Sequence, residues 1–203
     1  TPEPDDEADR NRPPETDPQT PNDTQLVDTA HLIENVSFVH YTANRSAYQL
    51  NTTTNAAQSA PGIVTLADNS TVVIWQTANQ DGSGHNLVGQ RYDAQGLAIG
   101  NEFPINTTTD PQSNPPHITT LDGTGFVVVW TAQDSSDKGI FGQAFDANGA
   151  PLGSEFQVNT TTTRNQDLAN ITALDDGGFL VTWADTNNGR TIQARRYNAQ
   201  AEP

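Results

Sequence analysis

Apolar residues along this chain fall into two kinds of run. Phe126-Val127-Val128-Val129-Trp130 is apolar at every position. Successive side chains of a strand point to opposite faces, so such a run predicts a strand covered on both sides. Ile140-Phe141-Gly142-Gln143-Ala144-Phe145 alternates more cleanly and predicts a strand lying further out. Between the second and third strand candidates lie Ala67-Asp68-Asn69, Asp122-Gly123-Thr124-Gly125 and Asp175-Asp176-Gly177-Gly178, the residue types that close short hairpins. No apolar stripe of helical period persists for three turns. The pattern predicts an all-β chain.

The pattern is said three times. Trp75, Trp130 and Trp183 recur at intervals of 55 and 53 residues, and Asn51, Asn106 and Asn159 keep the same intervals. Each unit holds four strand candidates. The first is Tyr48–Leu50, Phe103–Ile105 or Phe156–Val158, and the second is Ile63–Leu66, Ile118–Leu121 or Ile171–Leu174. The third is Thr71–Trp75, Phe126–Trp130 or Phe179–Trp183, and the fourth is Leu87–Tyr92, Ile140–Phe145 or Thr191–Tyr197. The units run over about 47–100, 101–153 and 154–203. Ser37–Tyr41 matches the last strand of a unit and stands as an orphan strand before them.

Four strands in each unit of about 53 residues predict a β-propeller-like array of three blades plus the orphan strand. A stacked β-sandwich or solenoid of the same units is the alternative. Three blades are fewer than the roughly four to eight that close a propeller. The end faces are therefore expected to bind something, most simply another copy of the chain.

Composition divides the 203 residues into two regions. Residues 1–28 hold nine acidic and two basic residues, several prolines and almost nothing apolar. Such a segment cannot bury enough surface to offset its ordering entropy, which predicts an extended arm or linker. Residues 29–203 form the β domain. The net charge of −16 disfavours nucleic acid and anionic membrane as partners. No apolar run approaches the roughly 20 residues of a membrane-spanning helix. The chain has no cysteine, which excludes disulfides, thiolate metal sites and cysteine nucleophiles.

Ser154-Glu155-Phe156-Gln157-Val158-Asn159-Thr160-Thr161, Ile171-Thr172-Ala173-Leu174-Asp175-Asp176-Gly177-Gly178-Phe179 and Gly139-Ile140-Phe141-Gly142-Gln143-Ala144-Phe145-Asp146 carry a resemblance. They look like a tandem repeat of large secreted bacterial surface proteins, including adhesins of the RTX type. The resemblance covers about residues 37–200. It implies an extracellular or cell-surface setting and a propeller-like β fold, and it brings no catalytic residue with it. The Asp-Gly-Ser-Gly loop of that repeat survives at Asp81–Gly84, while Asp134-Ser135-Ser136-Asp137 and Asp185-Thr186-Asn187-Asn188 replace it later.

Three residue sets are candidates for chemistry. Asp81, Asp134, Asp137 and Asp185 are hard oxygen donors of the kind Ca²⁺ takes, although Asp, Asn, Ser and Gly equally serve turns. Trp75, Trp130 and Trp183 are candidate sugar-stacking platforms, with interblade core as the competing role. Asn51, Asn106 and Asn159, each followed by threonines, form one polar rim and begin glycosylation sequons. Arg190, Arg195 and Arg196 are a basic cluster that could meet the acidic arm of another copy.

Every notable feature is repeated, which suits scaffolding or multivalent binding better than one catalytic centre. The expectation is a non-enzymatic subunit of an extracellular assembly or filament, associating with itself through blade faces and the arm. Two alternatives stand beside it: a carbohydrate-binding, lectin-like propeller module, and a Ca²⁺-dependent adhesin segment.

Overall fold

A computed structural model of the chain describes residues 47–54, 56–78, 85–107, 114–186 and 189–203. The arm at 1–28, the orphan strand Ser37–Tyr41 and the loop residue Asp81 lie outside the described residues. The body considered is Gln49–Pro203.

Its eleven described strands form three antiparallel sheets, and no helix occurs among the described residues. The first sheet is β1 (Gln58–Thr65), β2 (Thr71–Ala78), β3 (His85–Tyr92) and β4 (Ala98–Pro104), in that order. The second is β5 (His117–Leu121), β6 (Gly125–Gln133), β7 (Lys138–Asp146) and β8 (Pro151–Gln157). The third has three strands, β9 (Gln166–Ala173), β10 (Phe179–Asp185) and β11 (Thr191–Tyr197).

The sheets do not coincide with the sequence units. Phe103–Ile105 and Phe156–Val158, read as first strands of a unit, belong to the end of the preceding sheet, where β4 pairs with β3 and β8 with β7. Tyr48–Leu50, read the same way, is not a strand. The cause is a local turn: the Asp93 and Asp146 side chains each accept two backbone N–H groups and fold the chain straight back into β4 and β8. Those strands are largely exposed outer edges, so no apolar alternation marks their first halves.

Two apolar layers join the sheets. Between the first and second lie Val72, Ile74, Leu87 and Ile105 on one side and Phe126, Val128, Trp130 and Phe145 on the other. Between the second and third lie Val127, Val129, Ile140 and Val158 against Ile171, Phe179, Val181, Trp183 and Tyr197. β6 contributes alternate residues to both layers, which is why every position of its run is apolar. Burial of each large side chain in such a layer stabilises the fold by about 1.5–3 kcal/mol.

Each layer has an aromatic centre. Phe126 and Phe145 are cross-strand neighbours stacked at 5.0 Å, with Phe103 of the preceding sheet 6.3 and 6.1 Å away. Phe179 and Tyr197 repeat the stack at 4.8 Å, with Phe156 at 5.3 Å from Tyr197. A glycine makes room for each entering phenylalanine. A Cβ on Gly89 would come within 2.7 Å of the Phe103 ring, and one on Gly142 within 2.8 Å of Phe156.

Candidate functional site

The antiparallel order gives the body two ends. One end gathers the segments that cross between sheets and the β6–β7 loop; the other gathers the tight hairpin turns. Of the residues singled out in the sequence, Asn106, Asn159, Asp134, Asp137 and Asp185 lie at the first end, the tryptophans lie in the core, and Arg196 lies toward the turn end beside Asp176.

The asparagine rim is a structural clasp. Asn106 Oδ1 accepts the backbone N–H of Leu87 at 2.7 Å, and Asn159 Oδ1 accepts that of Ile140 at 2.7 Å. In each case the preceding residue has just donated its own N–H to the same partner's carbonyl. The side chain thus continues the ladder one step past the strand. Asn159 Nδ2 then donates to Thr161 O and Gln166 Oε1, and Asn51 Nδ2 donates to Thr53 O. Asn106 and Asn159 are buried, at 7 and 4 % exposure. The threonines are held in turn by glutamates one unit on. Glu102 accepts from Thr52 and Thr53, and Glu155 from the Thr107 backbone N–H. The sequence reading missed those glutamates, although their recurrence in the phrase Glu-Phe was visible.

The tryptophans are core. Trp75, Trp130 and Trp183 are 6, 1 and 8 % exposed. A ring enclosed on both faces offers no platform to a sugar, which removes the stacking role considered for them. Trp130 and Trp183 sit in the two inter-sheet layers and Trp75 packs with Val73, Val88 and Tyr92.

Of the aspartates considered for Ca²⁺, the three described ones, Asp134, Asp137 and Asp185, are spread over two sheets. Asp134 Oδ1 accepts the backbone N–H groups of Ser136 and Asp137, and its Oδ2 accepts from Gln157 at 3.1 Å, so it closes its own loop. Asp185 is buried at the end of β10 in the third sheet. Among the described residues no three metal-ligating side chains come together. The arginines also separate. Arg195 donates to Val158 O and lies 5.6 Å from the Tyr197 ring, whereas Arg196 on the opposite face pairs with Asp176.

The turn end holds the more open geometry. The β5–β6 turn has two left-handed residues, Asp122 at φ 47° and Gly123 at φ 64°, as a tight hairpin requires. Facing it is the β9–β10 turn, with Gly177 at φ 83°. Between them opens a cleft of about 400 Å³, lined by Thr120, Asp122 and Gly123 on one side and by Ala173, Leu174, Asp175, Asp176 and Gly177 on the other. A second cleft of about 410 Å³ shares Asp122 and is bounded by Thr124, Asp146, Asn148, Leu152 and Ala199. Asp176 is committed to Arg196 and to the Gly178 N–H. Asp122 and Asp175 are exposed and carry no ion pair or hydrogen bond among the described residues. The first cleft therefore presents two unengaged carboxylates beside threonine and backbone polar groups.

The sequence matches no protein-family model and no curated protein. Solved structures do share the fold. An N-acetylgalactosamine deacetylase from F. plautii, crystallised with blood group B trisaccharide, is 11 % identical at a TM-score of 0.51, covering 75 % of this chain and 52 % of that one. An endo-arabinase from Bacteroides thetaiotaomicron VPI-5482 is 13 % identical at 0.47, covering 71 and 57 %. A protein of unknown function from Dyadobacter fermentans DSM 18053 is 15 % identical at 0.51, covering 70 and 38 %. The chain thus spans about half the length of the first two. The deacetylase and the Dyadobacter protein show the all-β fold. The deacetylase also corrects the expectation that the chain is not an enzyme: it carries a like arrangement of sheets, so repetition of sheets gives no ground for excluding catalysis.

Proposed function

We propose that the chain is a carbohydrate-binding β module, its sheets arranged as propeller blades, acting in an extracellular setting on glycans. The cleft between the second and third sheets at the turn end carries this reading. Carboxylates accept hydrogen bonds from adjacent sugar hydroxyls, and charged acceptors form bonds roughly twice as strong as neutral ones. Asp122 and Asp175 are placed to do this from opposite walls, with Thr120 beside them. The fold likeness to a chain solved with a bound trisaccharide supports the ligand class. The tryptophans have no part in it.

A neutral-glycan array followed by calorimetry on the hits tests the proposal. Binding is expected, and the D122N/D175N double variant should weaken it by at least about tenfold, the change that about 1.4 kcal/mol produces. The variant's melting temperature should stay unchanged, because both side chains are exposed. No binding across the array, or affinity untouched in the double variant, would overturn it.

A further inference from the structure

At its turn end, the junction between the first and second sheets is plugged by an arginine. Arg91 on β3 faces the second sheet with its side chain 13 % exposed. Its Nε donates to Ser70 Oγ at 3.0 Å, its Nη1 donates to Asn148 Oδ1 of the second sheet at 3.0 Å, and its Nη2 pairs with Asp68. The guanidinium thus lies over its own hairpin turn and reaches across to the next sheet.

The junction between the second and third sheets lacks this plug. One repeat on, Ala144 stands where Arg91 does, Gly123 where Asp68 does and Gly125 where Ser70 does. The third sheet keeps the ion pair, as Arg196 and Asp176. Three side chains that touch one another in the first sheet are therefore trimmed together in the second. The cleft of about 410 Å³ beside Gly125 and Ala199 opens at that place.

The trimmed seat is acidic on one side and apolar on the other. Asp122 stands where the first turn has Ala67, and Asp146 ends β7; both border the cleft. Asp146 Oδ1 holds the next turn through the N–H groups of Asn148 and Ala150, and its Oδ2 carries no hydrogen bond among the described residues. Leu152, 50 % exposed, forms the apolar side with Ala147 and Ala199. No cationic residue lines the cleft. The first junction fills the seat with a cation of its own, and the second does not.

We infer that this cleft is a second sugar subsite, and that it takes a hexosamine with a free amine. The inference rests on the glycan reading, because Asp122 borders both clefts and stands between two adjoining sugar units. The ammonium group takes the place of the missing guanidinium and donates charge-assisted hydrogen bonds to Asp122 and Asp146. The C–H face of the pyranose ring lies on Leu152, Ala147 and Ala199. Hydroxyls of the next unit reach Asp175 in the first cleft. The net charge of −16 draws a cationic sugar towards the chain.

Calorimetry of the full chain at about pH 6, where amine and carboxylates are both charged, tests it with a glucosamine tetrasaccharide and its N-acetylated form. The free-amine form should bind at least about tenfold tighter. Attraction by the acidic surface as a whole would also favour the amine, so two variants locate the preference. L152R sets a guanidinium over the cleft from an exposed position, so its melting temperature should stay in place. G123D/A144R rebuilds the plug of the first junction. Each should bring the free-amine form down to the affinity of the N-acetylated one. Glycan binding with no gain from the amine, or a preference that survives L152R, would overturn the inference and leave the glycan reading standing. Failure of every glycan to bind would overturn both.

Discussion

Asn159 Oδ1 accepts the backbone N–H of Ile140 at 2.7 Å, nineteen residues away in sequence and fully inside the body. The Asn106–Leu87 pair has the same length and the same separation. A polar side chain recurring on a rim invites a ligand; this one instead completes a sheet. Its position at the point where the chain leaves one sheet for the next makes it a hinge pin between repeats.

Removing the pin leaves a buried donor without an acceptor. Asn159→Ala should cost about 1–3 kcal/mol, the penalty of an unsatisfied buried N–H. Asn159→Asp keeps the acceptor but sets a buried carboxylate oxygen against Thr161 O and Gln166 Oε1, so it should also destabilise the fold. Urea denaturation checks both; an alanine variant within about 0.5 kcal/mol of the parent would contradict the structural role.

Gly142 and Phe156 are coupled through space. Gly142→Ala places a methyl group against the Phe156 ring, and overpacking of this kind costs about 1–3 kcal/mol. Shortening the ring as Phe156→Leu should recover part of that loss, so the double variant should be more stable than the sum of the singles predicts. Strict additivity would show that the ring moves aside freely. The third sheet has Ala194 and Arg195 where the others have glycine and glutamine. Gln90 and Gln143 donate to carbonyls of β4 and β8, whereas Arg195 turns to Val158. Both changes sit on the strand that carries no outer neighbour among the described residues.

His117 begins β5 half-buried, and burial holds its pKa below the ordinary 6.5. The charged form is disfavoured in the folded state, so below about pH 6.5 the unfolded chain binds more protons than the folded one. Stability should therefore fall as the pH drops through 6.5 and stop falling, for this group, below the folded pKa. His117→Gln should flatten that part of a melting-temperature profile. An unchanged slope between pH 7 and 5 would assign it to the carboxylates.

Much of the architecture was legible along the chain. The unbroken run Phe126–Trp130 signalled a strand between two apolar layers, and the spacing of Trp75, Trp130 and Trp183 gave the repeat. The outer strands were harder. Ala98–Gly100 and Pro151–Gly153 are exposed, so they carry no alternation, and their pairing depends on turns set by Asp93 and Asp146. The turn-end cleft was not legible either, since Asp122 and Asp175 look like any hairpin aspartates until two turns face each other.

The sequence by itself determined the all-β class, the threefold repeat and the two-sided burial of the central strands, because apolar periodicity is a local property of the chain. Tertiary structure decided which strand joins which sheet, that the tryptophans are enclosed and the asparagines bonded, and that Ile192 stands open where Leu87 and Ile140 are covered. Those are contacts between residues far apart in the chain, and equivalent positions in a repeat differ only in what lies against them.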